Sequence, residues 1–482
     1  MEQKAGAQIS KHAFLQSLII LLVLMMAAGI LTRILPASQY RLVELNGRQV
    51  IDQSTFTLIE KPNYPVWRWF TAPVEVLAAP GNMTVIVILI FLLFIGGSFA
   101  ILDKSGIIRA VIEGIIRRYG NRKYTLLLII SLFFMLLGAF FGLFEEVVPL
   151  VPVMIALSYS LGWDAFVGLG MSILATNLGF SAAITNPFTI GVAQQLAGLP
   201  LFSGAWFRVL VFVVIYAIFA WFLSGYARKI ERDPASSPIF GQDKAERTRF
   251  KSLNTVPGNN NPLLKRAIIW FLVFIVLILV LLITGPFIPA ISDYALPLVG
   301  VLFLIAGVGA GLLSGAGGQK IWKALDEGIV GILPAIPLIL MAVSIKHIVV
   351  SGGVMDTILH WASQPFTTVS PIIAPLIIYG LALLIEFFVA SGSAKAFLMM
   401  PILLPLSDLI GVTRQTTVLA YCFGDGFSNL AYPTNPVLLI CLGLTIVSYP
   451  QWLRWTAKLW VWVLLATAAF LGIAVAIGFG PF

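Results

Sequence analysis

FFGLFEEVVPLVPVMIAL, starting at Phe140, and ATNLGFSAAITNPFTIGVAQ, starting at Ala175, have counterparts later in the chain: FFVASGSAKAFLMMPILLPL from Phe387 and FGDGFSNLAYPTNPVLLICL from Phe423. Phe140-Phe141 returns 247 positions on as Phe387-Phe388, and Gly179-Phe180-Ser181 returns at the same offset as Gly426-Phe427-Ser428. Thr185-Asn186-Pro187 returns 249 positions on as Thr434-Asn435-Pro436, so the order is kept with a slip of two. Each copy interrupts an apolar run with Gly, Pro, Ser, Thr and Asn, where an ordinary membrane span has few. Interrupted segments at corresponding places in two halves point to a transporter's binding site.

Apolar residues make up 59% of the 482 and charged ones 11%, against roughly a quarter charged in a soluble domain. Several runs reach the roughly 20 apolar residues that cross about 30 Å of hydrocarbon. The chain is therefore a polytopic membrane protein in the lipid bilayer. A net charge of +9 would suggest nucleic acid in a soluble protein, but here the basic residues gather in a few loops and report orientation. Cys422 and Cys441 both fall in apolar segments, which implies neither a disulfide framework nor a zinc site.

Lys4 and Lys11 precede an apolar run over residues 13–35, read as a retained first span rather than a cleaved signal peptide because it is long for one. Residues 40–80 are polar and aromatic, with Trp67 and Trp69 suited to a membrane interface. The second span covers 83–102. Six basic residues surround an isoleucine-rich stripe in 103–123, the pattern of an amphipathic helix at the cytoplasmic surface. Residues 124–143 and 147–161 read as a re-entrant hairpin with Phe144-Glu145-Glu146 at its tip, since acids between apolar arms are tolerated where backbone lines a polar cavity. Two full spans with a short loop are the alternative. A span broken near 177–187 follows, then an unbroken one over 206–226.

Residues 228–266 hold nine Lys/Arg and four Asp/Glu, with turn residues at 258–262. By the positive-inside rule this linker is cytoplasmic, as is the N-terminus. Spans at 267–284, 296–313 and 331–350 come next. Residues 351–367 match the earlier amphipathic helix but contain no Lys or Arg, as an outside location predicts. A second hairpin (371–390 and 396–410), a second broken span (415–442) and a last span (455–477) complete the chain. The expected fold is all-α, with about ten spans and an inverted repeat holding two re-entrant hairpins and two broken transmembrane helices. Its parts are 1–82 (first span and external loop), 83–227 (first repeat), 228–266 (linker), 267–330 (scaffold spans) and 331–482 (second repeat).

With Thr185-Asn186-Pro187 and Thr434-Asn435-Pro436 each preceded by a polar bend and a hairpin, the chain resembles the ion transporter superfamily. The likeness is to its C4-dicarboxylate anaerobic carrier group, YfcC-type branch, over residues 84–477. That resemblance implies a homodimer whose hairpins and broken helices move as an elevator, coupled to Na⁺ or H⁺. It also implies a dicarboxylate or basic amino-acid substrate. Sodium-coupled relatives carry Ser-Asn-Thr triplets at the tips, whereas this chain has Phe144-Glu145-Glu146 and Ser391-Gly392-Ser393.

A helix broken at mid-membrane leaves N–H groups at one half-helix start and C=O groups at the other half's end without partners. The N–H ends favour a carboxylate and the C=O ends a cation. A substrate carboxylate is therefore expected at Ser391, Gly392, Ser393, Asn186 and Asn435. Thr176, Asn177 and Thr185, with Ser428, Asn429 and Thr434 in the mirror site, offer hard oxygens for Na⁺, or else cap the broken backbone. Asp425, between two glycines, is expected to serve as cation ligand, proton carrier or counter-ion to a substrate amino group. Glu145 and Glu146 are placed to bind a cationic substrate group, unless they face water. Lys395 either pairs with Glu386 or meets a substrate carboxylate. Two or three buried acids against one base favour an amino acid.

His12, His347 and His360 lack metal-ligand spacing, and no GxxxxGK[ST] phosphate loop occurs, which argues against an ATP-driven pump. Nothing resembles a Ser-His or metal-hydrolase constellation, so the chain is not read as an enzyme. The function expected is secondary active transport of a small carboxylate-bearing solute, by antiport or symport. A C4-dicarboxylate carrier is the near alternative and a passive channel the remote one.

Overall fold

A computed structural model of the chain describes residues 11–45, 48–79, 83–251, 262–284, 288, 294–364 and 369–480. Lys4, the side chain of His12 and positions 258–261 of the linker turn lie outside the described residues. The protein is a helical, multi-pass membrane protein. Among the described residues, nine helices are long and apolar enough to cross a bilayer.

The two broken helices sit at the centre. In the first, spanning Ala165–Leu196, the most apolar 18-residue window is wholly buried, whereas in Pro262–Leu281 only 22% of it is. Lipid can therefore face the outer spans, while the segments richest in Gly, Ser, Thr and Asn are enclosed by protein. This is where irregular backbone is tolerated at membrane depth. The expected first hairpin comprises Lys123–Leu136 with a π-helical turn at Leu137–Phe141, a bend, a 3-10 turn at Glu145–Leu150, and Val151–Ser160. The second hairpin pairs Ala374–Glu386 with Gly392–Leu409. The amphipathic helix Ile107–Tyr119 buries Ile107, Ile108 and Ile112, the stripe expected of it.

Residues 38–58 depart from the all-helical reading. They form an antiparallel ribbon of Ser38–Leu45 and Arg48–Leu58, with Ser38 opposite Leu58 and Leu45 opposite Arg48. The ribbon is clamped to the short helix Met355–Ser363. The Tyr40 N–H donates to Asp356 Oδ2 at 3.0 Å, the Ser38 and Thr357 hydroxyls lie 2.7 Å apart, and Phe56 stacks on His360 at 3.7 Å. Its second strand also packs against Gly392–Leu409. Trp67 is exposed, whereas Trp69 is buried against Gly29 of the first span, where a Cβ would overlap its ring.

Candidate functional site

At the first break, Ala175–Ala182 ends on Ala183, whose φ of 46° is left-handed, and the Ala183 N–H bonds Gly179 O at 3.1 Å. A residue with a Cβ in that conformation costs about 1–2 kcal/mol. Asn186 then starts the next half-helix. Its Oδ1 accepts from the N–H groups of Phe188 (2.9 Å) and Thr189 (3.3 Å), and its Nδ2 donates to Phe180 O at 3.3 Å. The second break uses the same chemistry. Asn435 Oδ1 accepts from Val437 N–H at 2.9 Å, and its Nδ2 donates to Asn429 Oδ1 at 3.1 Å. Each Asn is followed by Pro at the first helical position, where no N–H is needed. Asn186 and Asn435 are thus N-caps that satisfy otherwise orphaned donors.

The candidate cation ligands divide into two groups. Thr176 donates to Ser172 O (3.0 Å), Thr185 to Phe140 O (2.9 Å) and Ser428 to Gly424 O (2.7 Å), while Asn429 Oδ1 is taken by Asn435. A donating hydroxyl keeps its lone pairs, so the three hydroxyls can still ligate. Both amide atoms of Asn177 and the hydroxyl of Thr434 are buried with no protein partner. Such a group costs about 1–3 kcal/mol unless something completes it.

The two hairpins meet the breaks reciprocally. The tip of the first lies on its own repeat's break: Gly142, φ 68°, leaves no room for a Cβ beside Asn186 Oδ1, and the Thr185 N–H bonds Ala139 O at 3.0 Å. Its turn Glu145–Leu150 then packs against Pro436–Gly443, the half-helix after the second break. The second arm of the second hairpin packs in turn on Pro187–Gly191 and Val192–Leu196, after the first break. A Cβ on Gly392 would stand 2.8 Å from Thr189 Cγ2 and 2.9 Å from Asp425 Oδ2, so bare backbone touches both broken helices. The Tyr421 hydroxyl donates to Gly392 O. The broken helices cross where Gly426 would place a Cβ 2.5 Å from Ser181 Cα.

Charge concentrates here. Lys395 Nζ lies 2.8 Å from Asp425 Oδ1 and also pairs with Glu386 Oε2; all three side chains are buried, Lys395 and Asp425 completely. Lys395 makes the expected Glu386 pair, and Asp425 joins it to form a triad. Asp425 Oδ2 and Glu386 Oε1 accept no hydrogen bond from the protein. Ser391 is exposed and caps the second arm through the Ala394 N–H at 3.5 Å; Ser393 is half-buried beside it. Glu145 and Glu146 are half-buried, and Glu146 Oε2 accepts from Phe144 N–H at 3.1 Å. No basic side chain among the described residues pairs with either.

Sequence reasoning passed over Arg208. It is 1% exposed, and its guanidinium donates to Ile184 O (2.9 and 3.2 Å), Phe202 O (3.1 Å) and Ser203 O (2.8 Å). A protein cation therefore occupies the Ile184 carbonyl of the first break and ties it to the loop before Ala205–Arg232 through Phe202 O and Ser203 O. The available signal was a lone charge inside an apolar run, but Trp206 two positions before it reads as an interface residue.

Buried, Asn-capped half-helix starts, glycine contacts and an ionic triad, inside a bundle of apolar spans, are the architecture of a membrane transporter. The chain belongs to the C4-dicarboxylate anaerobic carrier family, whose model matches residues 14–476. It is 30% identical over 438 residues to "Putative basic amino acid antiporter YfcC" of Escherichia coli (strain K12), covering 86% of this chain and 85% of that one. It is 24% identical over 404 residues, 82% of this chain and 77% of the other, to a Haemophilus influenzae protein named only as uncharacterized. Among solved structures, Neisseria gonorrhoeae MtrF, described within a class of antimetabolite efflux pumps, aligns at TM-score 0.45 and 18% identity, with 98% of this chain and 96% of that one covered. The Alcanivorax borkumensis YdaH transporter aligns at 0.40 and 17%, over 97% and 99%. Scores this low leave the fold resting on the chain's own helices.

Proposed function

We propose that the chain is a secondary active transporter of a small carboxylate-bearing solute, a basic amino acid of the arginine or ornithine type. It works by elevator alternating access, as an antiporter or coupled to Na⁺ or H⁺. The observation that carries this reading is the buried Lys395–Asp425 pair beneath the Gly392 tip, where the half-helix after the first break and the second broken helix converge. The solute's carboxylate docks at the exposed hydroxyl and backbone of Ser391-Gly392-Ser393, where a half-helix start brings partial positive charge. Its cationic group meets Asp425 Oδ2 or the unpaired Glu145 and Glu146. Asn186 and Asn435 hold the half-helix starts in place. Thr176, Asn177 and Thr185, and Ser428, Asn429 and Thr434, are the oxygens a coupling Na⁺ would use, Asn177 and Thr434 being the two that lack partners. The relative named as a basic amino acid antiporter supports the substrate class.

The two repeats, 83–227 and 331–482, run in opposite senses across the cell membrane with the N-terminus and the linker 228–266 cytoplasmic. Spans within 267–330 belong to the scaffold of a homodimer. The reciprocal packing of each hairpin on the other repeat's half-helix supports this arrangement.

A second reading, a C4-dicarboxylate carrier, is favoured by the family's description. In it Lys395 turns from Asp425 to one carboxylate and a half-helix start takes the other. Uptake and counterflow in proteoliposomes with labelled arginine, ornithine, aspartate, succinate and fumarate decide between them. Saturable arginine or ornithine counterflow supports the first reading. Exclusive succinate and fumarate exchange that survives Asp425→Asn supports the second. Flux no greater than in empty vesicles, or flux that never saturates, contradicts both.

A further inference from the structure

The side chains around Lys395 do not balance. One ammonium faces two carboxylates, all buried, and neither Asp425 Oδ2 nor Glu386 Oε1 accepts a hydrogen bond from the protein. Fully ionised, the triad has a net charge of −1 in a place where an unpaired charge is costly. No other basic side chain among the described residues forms an ion pair with either carboxylate. On the same helix as Asp425, the Tyr421 hydroxyl is turned to Gly392 O and Cys422 is a buried free thiol. Ala374–Glu386 adds Tyr379, whose hydroxyl lies 2.9 Å from Thr467 of the last span. That span's Lys458 sits over the Trp221 ring instead. The first broken helix contributes no titratable group in Ala175–Ala182, Pro187–Gly191 or Val192–Leu196. Arg208 directs its donors at the Ile184, Phe202 and Ser203 carbonyls and makes no ion pair with the triad.

We propose that Glu386, Lys395 and Asp425 form a proton site: without solute, one proton is held on Asp425 or Glu386, and the solute's cationic group displaces it. This deepens the amino-acid reading and rests on it. The exchange is balanced. The carboxylic O–H breaks, its proton leaves to water on the side from which the solute entered, and the freed carboxylate pairs with the incoming ammonium or guanidinium. Lys395 keeps its charge throughout, so the triad is neutral in both loaded states and carries −1 only when empty. The empty site is then the state least able to move through the membrane, which couples one proton to one cationic solute in opposite directions. Lys395, tethered on Gly392–Leu409, stands where a metal ion would be drawn to Asp425, so the ion exchanged at this carboxylate is a proton.

Infrared difference spectroscopy of the full-length protein in lipid nanodiscs tests this first without any solute. At neutral pH the wild type should show the carbonyl band of one protonated carboxylic acid, lost in Asp425→Asn or in Glu386→Gln, because either change leaves a neutral pair with Lys395. Adding arginine should then remove the band in the wild type. In a weakly buffered solution with a pH dye, the wild type should release one proton per arginine bound, whether the counter-cation is Na⁺ or choline. A solute-free wild type lacking the band overturns the proposal, as does a band unchanged by bound arginine, or proton release that persists undiminished in both variants. If no cationic or dipolar solute is transported, the reading beneath the proposal fails and takes it along. The two failures are told apart because the first spectrum contains no solute.

Discussion

Lys395 Nζ and Asp425 Oδ1 lie 2.8 Å apart, joining the second hairpin to the helix that breaks three residues further on, at Ser428. Removing one partner of a buried ion pair strands the other and costs about 3–5 kcal/mol. Lys395→Met should therefore lower the melting temperature in detergent more than any other change in the triad. Lys395→Met with Asp425→Asn and Glu386→Gln should recover much of the loss, since no charge is then left unpaired. A Lys395→Met variant that melts with the wild type would show that the pair does not hold the hairpin.

Gly142 is required twice over, by its left-handed φ of 68° and by the Asn186 side chain against it. Gly142→Ala should destabilise by at least the roughly 1–2 kcal/mol of left-handed backbone and should reduce transport at least tenfold by pushing the tip off the break. Gly114→Ala is the control. It has open space around the added methyl and lies in a helix interior, where Ala is better than Gly by about 0.5–1 kcal/mol. Thermal melts and counterflow on the two variants check this.

The caps give graded expectations. Asn186→Ala and Asn435→Ala should each cost about 0.5–2 kcal/mol, and Ser at either position should retain most of that. If the Asn Nδ2 groups also meet solute, the Ser variants will keep their melting temperature while the KM for uptake rises. If capping is the whole role, KM and stability will move together.

Arg208 holds three carbonyls with one planar fork. Arg208→Met would leave the buried Ile184 O without its donor, at about 1–3 kcal/mol, whereas Ser203 O keeps the Gln194 Nε2 donor at 2.9 Å. Arg208→Lys keeps the charge but cannot reach all three. Both should unravel the first break, read as faster hydrogen exchange at the amides around residues 183–189, with the Lys variant less affected.

Outside the spans, Arg68 binds Glu75 at 2.6 Å, with Thr71 and His347 on the same carboxylate. The hydrogen bond from Arg68 is the main reason that the Glu75 carboxyl is lowered to about 2 from its ordinary 4.5. A carboxylate lowered in the folded state stabilises it fully above its unfolded value, and this contribution fades as pH falls through the folded value. The melting-temperature gap between wild type and Glu75→Gln should thus be constant above about pH 5 and close between pH 4.5 and 2. Because the pair is partly exposed, the gap should be small and shrink with added salt.

The breaks were legible because their chemistry is local. Asn followed by Pro within an apolar run is an N-cap and a first helical residue wherever it occurs, and Asn186 and Asn435 behave that way. The hairpin tips showed themselves as polar interruptions for the same reason. What escaped was long-range. Glu386 and Lys395, nine positions apart, could be paired by eye, but Asp425 joins them only because the second broken helix packs along Ala374–Glu386. Arg208 reaches the Ile184 carbonyl across 24 positions. Ala183 has a side chain that normally avoids the conformation it adopts. The paired strands Ser38–Leu45 and Arg48–Leu58 have a usable signal, Asn46-Gly47 between two short runs, which the polar and aromatic composition of residues 40–80 masks.

The most direct measurement is a cryo-electron microscopy map of the protein with its transported solute. Density for the solute is expected against Ser391–Ser393, with its cationic end within hydrogen-bond reach of Asp425 and with Gly392 still touching Thr189. Solute resolved away from that tip, or a map in which the tip and the first break lie on separate surfaces, would contradict a single shared pocket.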